Sequence, residues 1–208
     1  MDKRVLRIVI NVAIAVIVLY AWLSMFFIVH DGVLANAGFR SLKFFTVLSN
    51  LFEAAVSLIL AVSLLKGKDS SRLSLFNLIA ACAVTLTQTV VVVFLGPLMG
   101  YRFMFAGANL WLHLIVPFAA IAEFILMNER PVSKKTIPLV AISPLIYGCF
   151  YLGNNIINGT EGNDFYGFLL WGLPVGMLIF AVICVFTYLS GRVLVWANGR
   201  VQAAKPKA

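Results

Sequence analysis

The chain has 208 residues, of which 62% are hydrophobic and 12% carry a charge, whereas a typical soluble domain has about 25% charged residues. A mean hydropathy of +1.00 excludes an ordinary soluble enzyme and indicates an integral membrane protein. The net charge of +8 does not indicate nucleic-acid binding, because the basic residues lie mostly in short stretches between apolar segments.

Six apolar segments are long enough to form helices that cross a hydrocarbon core of about 30 Å, which takes about 20 residues. The first is too long for the apolar part of a signal peptide, which spans about 7–15 residues, so we expect a retained helix. The sequence therefore predicts an all-α integral membrane bundle. It would have one domain over residues 1–198 and a short basic tail over residues 199–208. The segments lie near residues 5–29, 42–65, 75–98, 108–127, 137–154 and 165–190.

The distribution of Lys and Arg predicts the orientation of the bundle. All but three of the 16 basic residues lie at the N-terminus, in the second and fourth loops or after the sixth apolar segment. The three on the other side are Arg40, Lys43 and Arg102. Because basic residues accumulate in cytoplasmic loops, we expect both termini to be cytoplasmic.

Polar residues in the second segment share one face of the predicted helix. Thr46, Asn50 and Glu53 follow an i, i+4, i+7 spacing. Lipid cannot satisfy polar groups, so this face must point at protein or at a water-filled cavity. The fourth segment carries Asn109 and His113 one turn apart. Thr46 would lie roughly 6 Å and His113 roughly 7–8 Å below the same membrane surface, so the two can meet if their helices are neighbours.

A threonine beside a neutral histidine can act as a nucleophile. The imidazole accepts the hydroxyl proton while the oxygen attacks an ester carbonyl, and Asn side chains or backbone N–H groups could stabilise the oxyanion. Asp31 and Asn109 are candidates for the group that orients the histidine. The alternative is that Thr46 only bonds its own i−4 carbonyl or packs against a neighbouring helix.

Other polar residues within the segments allow a different function. Glu53 lies near mid-bilayer, and Gln88 of the third segment is a candidate partner for it. Glu53, Gln88 and His113 could form the polar pathway of a small transporter or a lipid-binding scaffold. Glu123 lies near the cytoplasmic end of its segment, and we expect it to extend to the membrane surface.

Two short motifs resemble those of the androgen-induced and androgen-dependent family of multi-pass membrane hydrolases. A K-F-x-T-x-x-x-N pattern is matched by Lys43, Phe44, Thr46 and Asn50, and a histidine in an apolar helix followed by proline is matched by His113 and Pro117. The resemblance to this family extends to the chain length and the layout of six helices. A family of six-pass prokaryotic membrane proteins has the same features. It implies that Thr46 is the nucleophile, His113 the base, and fatty acid esters of hydroxy fatty acids the substrates. The Asp-Phe-Tyr-Gly stretch at residues 164–167 departs from the family pattern.

The expected substrate is a lipid or fatty-acyl ester. We expect no cofactor, no metal and no nucleic-acid partner. The motifs of zinc proteases, phosphate loops and α/β-hydrolases do not occur in the sequence. The expected location is the bacterial inner membrane or an equivalent cellular membrane. Side chains expected to line the acyl pocket are Phe44, Phe45, Phe103, Phe105, Leu110 and Trp111.

Overall fold

The computed structural model describes residues 2–27 and 38–204, and over these ranges it is helical, without strands. Six of its helices are long and apolar enough to cross a membrane, which confirms the predicted multi-pass architecture. They are α1 (Lys3–Phe27), α2 (Phe45–Leu65), α3 (Ser71–Met99), α4 (Ala108–Met127), α5 (Lys134–Asn158) and α6 (Leu173–Ala203). Short 3₁₀ turns at Gly38–Lys43 and Tyr101–Phe105 precede α2 and α4.

The last helix begins later than its apolar sequence predicts. Residues 165–172 lie in the loop before α6, where Gly167 and Gly172 have φ angles of +72° and +86°. Such left-handed conformations interrupt a helix and are accessible mainly to glycine. Pro174 then lies at the first turn of α6, where its missing N–H costs nothing.

The same helix also continues further than predicted, through residues 199–203 of the expected tail. The Asn198 side-chain amide donates to the backbone oxygens of Phe124 and Asn128 at 3.1 and 2.8 Å. The Gln202 amide donates to the same Asn128 oxygen at 2.6 Å. These bonds anchor the end of α6 to the end of α4, so the helical domain extends to Ala203.

One apolar cluster places α2 beside α4. It contains side chains from three helices, including Ile14 and Val18 of α1, Val47 of α2 and Leu112 of α4. Each of these four is at most 1% exposed. Packing of α1 against both other helices holds the faces that carry Thr46 and His113 in one layer of the bundle.

At the other end of the bundle, a buried polar cluster joins α1, α3 and α4. The Glu123 carboxylate accepts hydrogen bonds from Arg7 Nε at 2.7 Å, from Asn77 Nδ2 at 2.7 Å and from Asn11 Nδ2 at 3.2 Å. Glu123 is 2% exposed. It therefore does not extend to the membrane surface as predicted, because α1 supplies a buried guanidinium that the sequence pattern did not reveal.

The close contact between α5 and α6 predicts that Gly148→Ala destabilises the bundle. A Cβ at Gly148 would lie 2.7 Å from the buried Phe180 ring, and overpacking of this kind costs about 1–3 kcal/mol. We expect a lower midpoint of thermal unfolding in detergent. Gly153→Ala, on the same helix and with open space around its Cβ position, is the matched control. An equal fall in both midpoints would contradict this packing.

Candidate active site

Thr46 and His113 lie in contact near one end of the bundle. Thr46 Oγ1 is 3.3 Å from His113 Nε2, and the two residues are 6% and 4% exposed. Thr46 lies in the first turn of α2, which begins at Phe45. A hydroxyl and a ring nitrogen at this distance can exchange a proton when the nitrogen is unprotonated.

A widened helical turn carries His113. Residues Trp111–Ile115 form a π-helical turn, closed by a bond from the Val116 N–H to the Trp111 carbonyl. Pro117 follows and cannot donate the N–H that would bond the His113 carbonyl in a regular helix. Such turns are rare and are frequently found at functional sites. This one places the imidazole opposite the start of α2.

Asn50 connects the two helices that carry the pair. Its Nδ2 donates to the Thr46 carbonyl at 2.7 Å and to the Leu112 carbonyl at 3.1 Å. Both hydrogens of the amide are therefore used. Asn50 can hold α2 against α4, but it has no hydrogen left for an oxyanion.

An orienting group would bind the second ring nitrogen of His113, the one that does not face Thr46. His113 Nδ1 and Asn109 Oδ1 are both buried, and neither has a hydrogen-bond partner among the described residues. Asp31, the other predicted candidate, and its neighbour His30 lie outside the described residues. Asn109 remains beside His113 in the same cavity.

Tyr166 is a site residue that sequence reasoning missed. It lies in the loop before α6, and its hydroxyl oxygen accepts a 2.8 Å hydrogen bond from the Phe45 N–H. Its own N–H donates to the Tyr151 hydroxyl at 3.4 Å, and Tyr151 donates to the Asp164 carboxylate. Burial raises the pKa of Tyr166 to about 12, so its hydroxyl keeps its proton at neutral pH. The tyrosine of the Asp-Phe-Tyr-Gly stretch was the available signal.

Two cavities meet at Thr46. The first, here called the histidine cavity, has a volume of about 50 Å³, and the second, the apolar cavity, has a volume of about 30 Å³. Thr46, Leu95 and Tyr166 line both. The histidine cavity is also lined by Phe44, Met99, Phe103, Asn109, His113 and Phe165. The apolar cavity is also lined by Phe45, Leu86, Thr87, Val90, Val91, Pro144, Tyr147, Phe168, Phe180 and Ile183.

Of the six residues predicted to line the acyl pocket, three line one of these cavities and three do not. Phe44 and Phe103 line the histidine cavity, and Phe45 lines the apolar cavity. Phe105, Leu110 and Trp111 line neither. Phe105 is 64% exposed, and Trp111 packs edge-on against Tyr20 of α1. Leu110 is half-buried. Phe105 lies in the 3₁₀ turn before α4 and Trp111 begins the π-helical turn, and a straight helix from residue 108 includes neither feature.

The three residues of the predicted polar pathway lie in different surroundings. Glu53 is 1% exposed and accepts a hydrogen bond from Ser57 at 3.0 Å, one turn along the same helix. Gln88 is half-buried. Over residues 2–27 and 38–204, no hydrogen bond connects Glu53 with Gln88 or with His113. Over the described residues, neither Glu53 nor Gln88 therefore forms a hydrogen bond with the Thr46–His113 pair.

No family model, curated protein or solved structure matches this chain. A functional assignment therefore depends on the site itself: a buried threonine–histidine contact between two cavities, with a tyrosine hydroxyl beside it.

Proposed function

We propose that this protein is a membrane lipid-ester hydrolase in which Thr46 is the nucleophile and His113 the general base. The observation that carries the proposal is the 3.3 Å contact between Thr46 Oγ1 and His113 Nε2 where the two cavities meet. A threonine hydroxyl is a weak nucleophile alone and needs an adjacent base of this kind.

The proposed hydrolysis has two steps, acylation of Thr46 and hydrolysis of the acyl-threonine. Thr46 Oγ1 attacks the ester carbonyl carbon while its proton moves to His113 Nε2. The tetrahedral intermediate then collapses, the carbon–alkoxide bond breaks, and the alcohol leaves with the proton from His113. In the second step a water gives one proton to His113 Nε2 and attacks the acyl carbon of the acyl-threonine. The bond between that carbon and Thr46 Oγ1 then breaks, His113 returns the proton to Oγ1, and the fatty acid leaves.

The histidine cavity supplies room for that water. Its volume of about 50 Å³ exceeds the roughly 10–15 Å³ that a water molecule requires. Two of its lining residues, Asn109 and His113, each have a buried polar atom without a hydrogen-bond partner among the described residues. A second alcohol bound there instead of water would make the enzyme an acyltransferase.

The acyl chain is assigned to the opposite side of Thr46. The apolar cavity shares three residues, Val90, Phe168 and Ile183, with a larger groove of about 250 Å³ between α3 and α6. The remaining lining residues of this groove are Phe94, Leu178, Ile179 and Val182, and all of them are apolar. A chain lying in the groove and reaching through the apolar cavity would present its carbonyl to Thr46.

The proposed substrate and the orientation in the membrane are based on the sequence. Resemblance to the androgen-induced family supports fatty acid esters of hydroxy fatty acids as substrates. The distribution of Lys and Arg supports cytoplasmic termini, so the site would open near the outer side of a bacterial inner membrane or an equivalent membrane. The carbon chains of such an ester would diverge from Thr46 into the two cavities.

A fluorophosphonate probe tests the nucleophile. We expect it to label wild-type membranes, with the adduct mapped to Thr46 by mass spectrometry, and to leave Thr46→Ala unlabelled. Thr89→Ala is the matched control, because Thr89 Oγ1 bonds the Thr85 carbonyl of its own helix at 3.0 Å. This variant should label like the wild type. Persistent labelling of Thr46→Ala, or an unlabelled wild type that also hydrolyses no acyl ester, would contradict the proposal.

A further inference from the structure

We infer that the Tyr166 hydroxyl is a catalytic group that donates the hydrogen bond to the oxyanion during attack by Thr46. This inference rests on the proposed hydrolase function. It identifies the donor that the nucleophile and base do not provide, and assigns it to the loop between α5 and α6.

The bonding of Tyr166 leaves its hydrogen available. Phe44, at the start of α2, caps no backbone N–H with its side chain. The Tyr166 oxygen accepts the Phe45 N–H at 2.8 Å instead. A phenol that accepts one hydrogen bond still has its own hydrogen to donate. The Tyr166 hydroxyl also interacts with the side chains of Tyr147 and Thr46, so it lies beside the proposed reacting oxygen. An ester carbonyl bound there would compete with the Tyr147 oxygen for the Tyr166 hydrogen.

The cavities explain why Tyr166, and not an asparagine, meets the carbonyl oxygen. Thr46 and Tyr166 are the polar residues that line both cavities. With the acyl chain in one cavity and the alcohol in the other, the scissile carbonyl must lie between them. Asn109 lines the histidine cavity alone, and the Asn50 amide is occupied by two backbone carbonyls.

The electrostatic surroundings suit a developing negative charge. The N-terminal end of a helix carries a partial positive charge, and Tyr166 lies at that end of α2. Because burial raises the pKa of Tyr166 to about 12, its hydroxyl remains a donor throughout the neutral range. Donors fixed in advance at an oxyanion contribute strongly to catalysis in a site that excludes water.

The test compares Tyr166→Phe with the wild type, using the purified full chain in detergent and the p-nitrophenyl ester of a fatty acid. We expect kcat to fall roughly 10²–10³-fold, the usual effect of removing one oxyanion donor, with KM and the unfolding midpoint little changed. Tyr101→Phe is the control, since Tyr101 lies at the same end of the bundle and its hydroxyl donates to the Val92 carbonyl at 3.2 Å. Its kcat should match the wild type.

A second variant separates hydroxyl chemistry from packing. A 3-fluorotyrosine at position 166 keeps the ring and the hydroxyl, so it should retain most of the wild-type kcat. A kcat as low as that of Tyr166→Phe would overturn the inference, and so would a Tyr166→Phe enzyme as fast as the wild type. In the latter case an inactive Thr46→Ala would leave the hydrolase proposal standing. A wild type without esterase activity would overturn both.

Discussion

His113→Ala is expected to lower kcat for a fatty acyl ester about 10³-fold, within the range usual for loss of a general base. The reason is the 3.3 Å contact with Thr46, which leaves the threonine hydroxyl without an acceptor once the imidazole is removed. The double variant with Thr46→Ala should be no slower than Thr46→Ala alone, because the two groups act as one unit. Steady-state kinetics of the two single variants and the double variant measure this.

Thr46→Ser is the control for this set, since it keeps the hydroxyl and removes only a methyl group. It should retain measurable hydrolysis that still depends on His113. If the two alanine substitutions acted independently, the fold decreases in kcat would multiply in the double variant. That result would show that Thr46 and His113 do not act on the same step. Unfolding midpoints close to the wild-type value are needed for each variant, because both side chains are buried.

The depth match between Thr46 and His113 could be anticipated from the sequence, whereas the packing of α1 against α2 and α4 supplies the second condition, that the two helices are neighbours. Both residues lie shortly after the start of a helix that enters from the same side, so alternation of the helices brings them to one level. The 3.3 Å distance is as this argument expects, while the catalytic roles stay a prediction. Six segments were also predictable, since apolar length alone identifies a membrane-spanning helix.

Tyr166 was not predictable by the same means, because its position depends on the path of a loop. The residues before α6 are as apolar as the helix itself, and the predicted segment therefore began at residue 165. The positive φ of Gly167 and the bond from Tyr151 to Asp164 direct the loop over the site. Hydropathy carries no information about either feature.

The buried polar cluster shows the same limit at the other end of the bundle. Arg7 reads in the sequence as one of the basic residues that set orientation, and Glu123 as a surface carboxylate. In the structure they are 3% and 2% exposed and form an ion pair at 2.7 Å. Arg7 and Glu123 are 116 residues apart in sequence, so only the packing of α1 against α4 pairs them.

This pairing predicts a large loss of stability in Glu123→Gln. The substitution keeps the size of the side chain but removes the charge opposite Arg7, whose remaining carboxylate neighbour is Asp69 at 3.7 Å. Breaking a buried pair from one side costs about 3–5 kcal/mol, and here the guanidinium would stay buried with only the more distant Asp69 carboxylate to compensate its charge. We expect a fall of roughly 10 °C in the midpoint of thermal unfolding, given about 2–4 °C per kcal/mol for a chain of this size.

Glu129→Gln is the matched control, as the same substitution in an exposed pair. Glu129 Oε1 accepts from Lys3 Nζ at 2.7 Å, with the two side chains 57% and 35% exposed. Surface pairs of this kind contribute only about 0–1 kcal/mol, so its midpoint should change little. A midpoint for Glu123→Gln equal to that of Glu129→Gln would show that Arg7 and Glu123 do not stabilise the bundle as a buried pair.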